Sequence, residues 1–211
     1  MSFDSYKNIA EVLQEYRITS CTEKFIIETH IPIRESFRED LDFSLKALTW
    51  EESESAICEA IIFPSLKEIY RSHCEYFTLW SHKQLNFDEK LSGTPDYIIA
   101  QKSPLGKEIF SQPFLVAVEA KKDDFIKGWG QCLAEIVAIQ KINQIPTQNI
   151  FGIVTNGQFW QFGKLRENIF TKEVTSYTLS DLEQLFAAIH YIFLQCRREL
   201  ELIHQKSPEF G

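Results

Sequence analysis

Two short stretches place charged side chains at the ends of apolar runs. In LSGTPDYIIAQ, Asp96 follows a Gly-Thr-Pro break and opens the apolar run 97–100. In FLVAVEAKK, an apolar run ends at Glu119, and Lys121 follows after one spacer residue. Strand side chains alternate between the two faces of a sheet, so Glu119 and Lys121 are expected to point the same way. Two carboxylates and one ammonium at strand ends are groups that can carry out acid–base or metal-assisted chemistry.

The spacing of the two stretches suggests that they meet. The segment between them, QKSPLGKEIFSQ, is polar and turn-rich, so the two strands can be antiparallel neighbours with Asp96 beside Glu119. Adjacent carboxylates repel unless a divalent cation lies between them. We therefore expect Mg²⁺, with Mn²⁺ able to take its place, to bind here, polarise a phosphate and activate a water. Lys121 would orient that water and stabilise developing charge.

The rest of the pattern predicts a mixed sheet flanked by helices, an α/β (α+β) fold. A helix over 51–72, with a kink or a break at Pro64, precedes the two motif strands, while residues 35–49 stay ambiguous. Before that helix, the sequence predicts a helix over 4–17 and a strand or extended arm over 24–33. After it come predicted strands Tyr76–Trp80, Pro95–Gln101 and Pro113–Ala120, and then a helix Phe125–Ile142 that Asp123 and Asp124 can cap. An Asn156-Gly157 hairpin, a strand Ile169–Thr178 and a closing helix from Ser180 to Leu202 complete the prediction.

These motifs resemble the signature of the PD-(D/E)xK nuclease superfamily, in which a Pro-Asp is followed by Glu-x-Lys. The order helix, three strands, helix, strand is similar to its restriction-endonuclease-like core (αβββαβ). GIVTNGQFWQF also resembles a strand-turn-strand of the nuclease domains in type I restriction subunits. The resemblance covers about residues 50–165. We expect residues 1–50 to be an N-terminal extension and 51–211 the nuclease-like domain of one compact unit.

The resemblance implies a set of site residues. Asp96, Glu119 and Lys121 would be catalytic, and Gln131 on the following helix would support them. A carboxylate from the preceding helix would join Asp96 and Glu119 as a metal ligand. Glu59 is the preferred candidate and Glu54 the alternative, and because they lie about 140° apart around a helix both cannot face the metal. The expected substrate-binding residues are Lys122, Lys127, Trp129 and Glu135.

The charge of the chain limits the functions that fit it. A formal net charge of -8 counts against sequence-blind binding to DNA, but not against a nuclease with basic residues around one cleft. The first hypothesis is a Mg²⁺-dependent nuclease, with DNA favoured over RNA. The alternative is a catalytically silent nuclease-fold subunit that binds or scaffolds. A third is an unrelated α+β enzyme acting on another phosphate ester. A homodimer or a partner subunit is compatible with each.

Composition also bears on location. The five cysteines are scattered without a Cys-x-x-Cys pair, so we expect reduced thiols and no structural zinc. No apolar run reaches the roughly 20 residues that span a bilayer, and the N-terminus lacks a signal-peptide pattern. These features predict a cytoplasmic protein that does not associate with membranes. The terminal SPEFG is expected to be disordered.

Overall fold

The computed structural model describes residues 2–206, so the prediction for the terminal SPEFG lies outside the described residues. The helices are α1 (Ile9–Tyr16), α2 (Glu35–Ala47), α3 (Glu54–Ile57), α4 (Phe63–Tyr70), α5 (Phe125–Asn143) and α6 (Leu182–Lys206). The strands are β1 (Thr19–Glu23), β2 (Phe77–Ser81), β3 (Leu85–Asn86), β4 (Ser92–Gly93), β5 (Tyr97–Gln101), β6 (Phe114–Ala120), β7 (Ile150–Thr155), β8 (Phe159–Arg166), β9 (Ile169–Glu173) and β10 (Tyr177–Thr178). A 3-10 turn (Phe3–Ser5) precedes α1, and a π-helical segment (Cys58–Ile62) joins α3 to α4.

A central mixed sheet organises the fold, as the sequence predicts. Its strand order is β1-β9-β8-β7-β6-β5-β2, and β10 pairs with β8. β6 runs parallel to β7 and β1 runs parallel to β9, whereas the other pairs are antiparallel. The central strands β5, β6 and β7 consist largely of buried apolar residues because helices cover both faces of the sheet.

Alternation along β6 separates the two cores. Val116, Val118 and Ala120 pack in the cluster that α2, α4 and α6 complete on one face. Ala117 packs in the second cluster, which α1 and α5 complete on the other face. Glu119 continues the alternation on the α5 side, which is the face predicted for the charged groups.

The N-terminal fifth of the chain is built into this architecture. β1 pairs with β9 at one end of the sheet, and α1 lies against α5. The sequence does not predict β1, because TSCTE is polar and lacks an alternating apolar pattern. Residues 24–33 form an arm that contains neither helix nor strand, so the predicted strand does not occur there. The ambiguous segment 35–49 is largely helix α2.

The helix around Pro64 is continuous, so of the two predicted alternatives, a kink or a break, the break does not occur. The chain stays helical from α3 through the π-helical segment into α4, and the Phe63 N–H bonds the Cys58 carbonyl five residues earlier. Proline removes one backbone donor from a helix, and a π-turn just before it accommodates the missing bond. This change of helical repeat alters which side chains of the segment face the sheet.

The C-terminal third follows its predictions in outline. Residues 156–158 connect β7 and β8, one residue more than the predicted two-residue Asn-Gly turn, and the Asn156 side chain accepts from the N–H groups of Gln158 and Phe159. The single strand predicted over 169–178 is two strands, β9 and β10. Asp181, one residue after the predicted start at Ser180, caps α6 by accepting from the Gln184 N–H at 3.1 Å. Among residues 2–206, no helix has the length and apolar character needed to cross a membrane.

Candidate active site

Asp96 and Glu119 lie on neighbouring strands, side by side. Tyr97 pairs with Val118 in the antiparallel register of β5 and β6, so the next pair along the two strands is Asp96 and Glu119. The Ala120 N–H donates to Asp96 Oδ2 at 2.7 Å and holds that carboxylate against the end of β6. The juxtaposition of the two carboxylates that the sequence predicts is therefore present.

Lys121 lies between two carboxylates. Its Nζ is 2.7 Å from Glu119 Oε1 and 3.6 Å from Glu54 Oε2. Burial disfavours the ammonium, but the neighbouring charges of Glu119 and Glu54 outweigh it and raise the pKa of Lys121. Lys121 is therefore a cation at neutral pH, in keeping with the role of stabilising charge rather than acting as a neutral base.

Glu119 is the most deeply buried carboxylate of the strand pair, with 5% of its surface exposed. Burial, together with the negative charge of Asp96, raises its pKa to about 7 despite the opposing effect of Lys121. The pKa of Asp96 is also raised, chiefly by burial, against the hydrogen bond from Ala120. The Lys121 ammonium alone therefore does not neutralise the buried carboxylates Asp96 and Glu119.

Helix α5 adds two buried polar side chains to the same face. Glu135 is 1% exposed and lies against Glu119, and its pKa is raised well above normal by burial and by the charge of Glu119. Gln131, 2% exposed, donates from Nε2 to Asp4 Oδ1. Within residues 2–206, Glu135 Oε2 and Gln131 Oε1 have no hydrogen-bond partner. Glu135, an expected substrate-binding residue, is thus placed beneath Glu119 and away from solvent.

Glu54, rather than Glu59, is the helix carboxylate that reaches the site. Glu54 Oε2 contacts Lys121, and Glu54 Oε1 accepts from the Lys122 N–H at 3.3 Å. Glu59 is exposed and lines a separate groove with Ala56 and Pro64. The preferred candidate from the sequence is therefore not brought to Asp96 and Glu119, whereas the alternative is.

The other three expected substrate-binding residues, Lys122, Lys127 and Trp129, differ in how far they are exposed to solvent. Lys122 is exposed, and its amine donates to the Glu52 carbonyl at 3.4 Å. Lys127 is half-buried, and its backbone N–H bonds the capping Asp124. Trp129 is 2% exposed and donates from Nε1 to Gln161 Oε1 at 2.7 Å. The indole is therefore part of the core and does not present a free face on which a base could stack.

His82 is a site residue that sequence analysis assigns no role. Its Nε2 lies 3.5 Å from Asp96 Oδ1, and its Nδ1 is hydrogen-bonded to Ser81 Oγ at 2.7 Å. The residue has a left-handed backbone with φ 49°, and its N–H bonds the Asp96 carbonyl. The sequence signal is weak, because His82 is separated from Asp96 by a polar loop.

Gly128 is the second residue without a predicted role. A Cβ there would lie 2.8 Å from Lys121 Cγ and 2.9 Å from Val154 Cγ1. A glycine in a helix interior costs stability, so GWG inside α5 is a signal for a close approach. The approach in this case is that of the Lys121 side chain, which passes under the first turn of the helix.

The donor set suits a hard cation that completes its shell with water or phosphate oxygen. Within the described part of the chain, no group of three or more His, Cys, Asp and Glu side chains is arranged to hold a metal ion. Asp96 and Glu119 alone supply two carboxylates, the number that Mg²⁺ commonly takes together with waters and substrate phosphates. The shortage of positive charge and the unpartnered Glu135 oxygen fit such a cation.

Comparison with known proteins does not identify the chain. No protein-family model matches the sequence, and no curated protein matches it.

Proposed function

We propose that this chain is a metal-dependent nuclease that hydrolyses phosphodiester bonds in nucleic acid, with DNA favoured over RNA. We also propose that its core is the restriction-endonuclease-like fold. The connectivity supports this, because a helical segment (54–70), the strands β2, β5 and β6, helix α5 and strand β7 occur in the order αβββαβ, with the two-residue strands β3 and β4 between β2 and β5. Neither proposal rests on a sequence relative, so the site must carry the argument.

The observation that carries the proposal is the grouping of Asp96, Glu119 and Lys121. The Ala120 N–H and the Lys121 ammonium fix one carboxylate each, at 2.7 Å in both cases. Both carboxylates are poorly compensated, with pKa values raised by burial. A pair of aligned, under-compensated carboxylates beside one ammonium is suited to bind a cation and a phosphate together.

Each residue has a role in the proposed reaction. Asp96 and Glu119 would hold Mg²⁺, which when bound polarises the phosphate and lowers the pKa of water. Lys121 would orient the attacking water and stabilise the charge that grows on the phosphate oxygens. In the hydrolysis a water oxygen bonds to phosphorus and the bond to the leaving sugar oxygen breaks. The attacking water gives up a proton to solvent, and the leaving oxygen takes up a proton from solvent. Glu54 would hold Lys121 from the solvent side.

Cleavage of defined substrates tests the proposal. Labelled DNA and RNA, single-stranded and duplex, are incubated with the protein and Mg²⁺ or Mn²⁺, and with EDTA as a control. Wild type is expected to cut at least one substrate, whereas Asp96→Asn and Lys121→Met should lose at least about 100-fold in rate. Cleavage retained by Asp96→Asn would show that the activity arises elsewhere.

One observation favours the alternative of a catalytically silent subunit. A cleft of about 460 Å³ beside the site is lined by Glu51, Glu52 and Asp123, with Lys122 as its one basic residue. Acidic walls repel a phosphodiester backbone. If no substrate is cut while the protein is recovered with a stable partner, the silent subunit becomes the better account.

A further inference from the structure

A second concavity lies on the α5 side of the sheet, and its lining includes neither Asp96 nor Glu119. It has a volume of about 500 Å³ and is formed by the start of α1, the start of α5 and the strands β8 and β9. Pockets of roughly 300–1,000 Å³ with apolar walls and a few polar groups are typical of small-molecule sites. The lining residues are Asn8, Ile9, Ala10, Phe125, Ile126, Trp129, Gln161 and Lys172.

Lys172 is the distinctive member of this pocket. Its Nζ lies 5.1 Å from the centre of the Trp129 ring, and the residue is half-buried. None of the ion pairs formed within residues 2–206 includes it. Burial lowers the pKa of Lys172, with no neighbouring carboxylate to oppose the effect. An ammonium in an apolar pocket without a counter-charge is incompletely compensated.

A polar side chain, that of Gln161, lines the same pocket. Gln161 Oε1 accepts from Trp129 Nε1, which fixes the amide on the wall of the pocket. Within residues 2–206 the Gln161 amide nitrogen has no side-chain or backbone acceptor among the hydrogen bonds formed, so its N–H groups can donate to a ligand. Ile9, Phe125 and Ile126 supply the apolar walls, and Ile126 is 71% exposed at the rim.

We propose that this pocket binds a small molecule that combines a flat apolar body with an anionic group. The anion would pair with the Lys172 ammonium and accept from the Gln161 amide, while the apolar body would lie against Phe125 and Ile126. Charge complementarity selects the anion, because the pocket has one ammonium and no carboxylate in its lining. An aromatic carboxylate and a mononucleotide, with its planar base and phosphate, share this chemistry.

Binding of defined probes by calorimetry tests the proposal on the full chain, in EDTA so that the Asp96–Glu119 site takes no metal. The probes are 1-naphthoate and adenosine 5′-monophosphate, each beside its uncharged counterpart, 1-naphthalenemethanol and adenosine. At least one anion is expected to bind more tightly than its uncharged counterpart. Binding of naphthoate but not of the nucleotide would indicate that the natural ligand is an aromatic carboxylate. Binding of the nucleotide but not of naphthoate would indicate a mononucleotide. Failure of both anions to bind at about 10 mM would overturn the proposal.

Two variants make the test specific to Lys172. Lys172→Met keeps the apolar stem on Trp129 but removes the charge, and should weaken the bound anion about tenfold to a hundredfold. Lys164→Met is the matched control, because Lys164 is also half-buried on a neighbouring strand, with its Nζ 4.6 Å from the Phe25 ring centre, outside the pocket. Thermal unfolding establishes that both variants fold. Equal binding by wild type and Lys172→Met would contradict the proposal, whatever the outcome of the cleavage assay.

Discussion

The Lys121 ammonium lies 2.7 Å from Glu119 Oε1. Among residues 2–206 it is the only lysine paired with a carboxylate of the group formed by Glu54, Asp96, Glu119 and Glu135, of which Glu135 is the deepest and Glu54 the most exposed. The excess of negative charge is relieved when a carboxylate is protonated or when a cation binds. The two outcomes have different consequences for stability and activity.

The burial of Glu119 makes the stability of the metal-free protein depend on pH. Its pKa rises from an ordinary 4.5 to about 7, so the native state binds this proton more tightly than the unfolded chain does. The free energy of unfolding should therefore fall as pH rises between about 4.5 and 7, by about 1.4 kcal/mol for each pKa unit of difference. Urea unfolding in EDTA across this range measures the slope.

Glu119→Gln removes that titration and should flatten the slope. The amide also resembles the protonated carboxyl in shape, so the variant is expected to fold. Glu23→Gln on the exposed edge of β1 is a control that should keep the wild-type slope. Equal slopes in wild type and Glu119→Gln would mean that Glu119 is not the titrating group.

His82 should matter for metal binding and not for folding. Its left-handed backbone, with φ 49°, is one that glycine adopts without strain, so His82→Gly should change the free energy of unfolding by less than about 1 kcal/mol. Loss of the imidazole from Asp96 should weaken Mn²⁺ binding about tenfold, as for other groups that orient a metal ligand. Calorimetry and thermal unfolding separate the two effects.

Gln144→Gly is the matched control for His82. Gln144 also has a left-handed backbone, with φ 56°, but it ends α5 at a distance from the site. It should leave metal affinity unchanged. A similar loss of affinity in both variants would point to a general effect of glycine instead of a role for the imidazole.

Gly128→Ala should destabilise the protein by displacing Lys121, although alanine is the better helix former. Alanine is favoured over glycine in a helix by about 1 kcal/mol, but its Cβ would lie 2.8 Å from Lys121 Cγ and 2.9 Å from Val154 Cγ1. We expect a net loss of about 1–3 kcal/mol from overpacking, together with lower activity. Gly130→Ala provides the comparison, because its Cβ would meet the backbone of Asn8 and should loosen α1 instead. Limited proteolysis of the N-terminal segment distinguishes the two.

Glu173 should hold the arm over 24–33 in place. This buried carboxylate accepts from the N–H groups of Phe25 and Ile26, both at 2.8 Å, and from the Thr175 N–H at 3.1 Å. Glu173→Gln replaces an acceptor oxygen by a donor and should cost about 1–3 kcal/mol in urea unfolding, with earlier proteolysis in the arm. Unchanged proteolysis of residues 24–33 would contradict this role.

The parts of the site that follow from local alternation could be predicted from the sequence. Glu119 and Lys121 share a face because strands have a period of two, and a short polar connection brings Asp96 alongside. The choice between Glu54 and Glu59 could not be made this way. The π-helical segment changes the rotation of the helix between α3 and α4, and only the packed structure fixes which carboxylate points to Lys121.

Non-local contacts account for the other differences. β1 is a polar strand that exists because it pairs with β9, some 150 residues away in sequence, as Cys21 opposite Thr171 illustrates. Trp129 was predicted beside the substrate from its position in α5, but the sheet and Lys172 cover it. Neither the pairing of β1 with β9 nor the covering of Trp129 produces a periodic pattern in the neighbouring sequence from which it could be predicted.

The most direct test of the central claim is a calorimetric titration of Mn²⁺ into wild type and Asp96→Asn, with cleavage of the same samples measured in parallel. The account predicts that wild type binds the ion and cuts nucleic acid, and that Asp96→Asn loses both. Asp96→Asn should remain folded, because the amide oxygen can still accept from the Ala120 N–H. Unchanged Mn²⁺ affinity in Asp96→Asn would contradict the claim that Asp96 and Glu119 form the metal site.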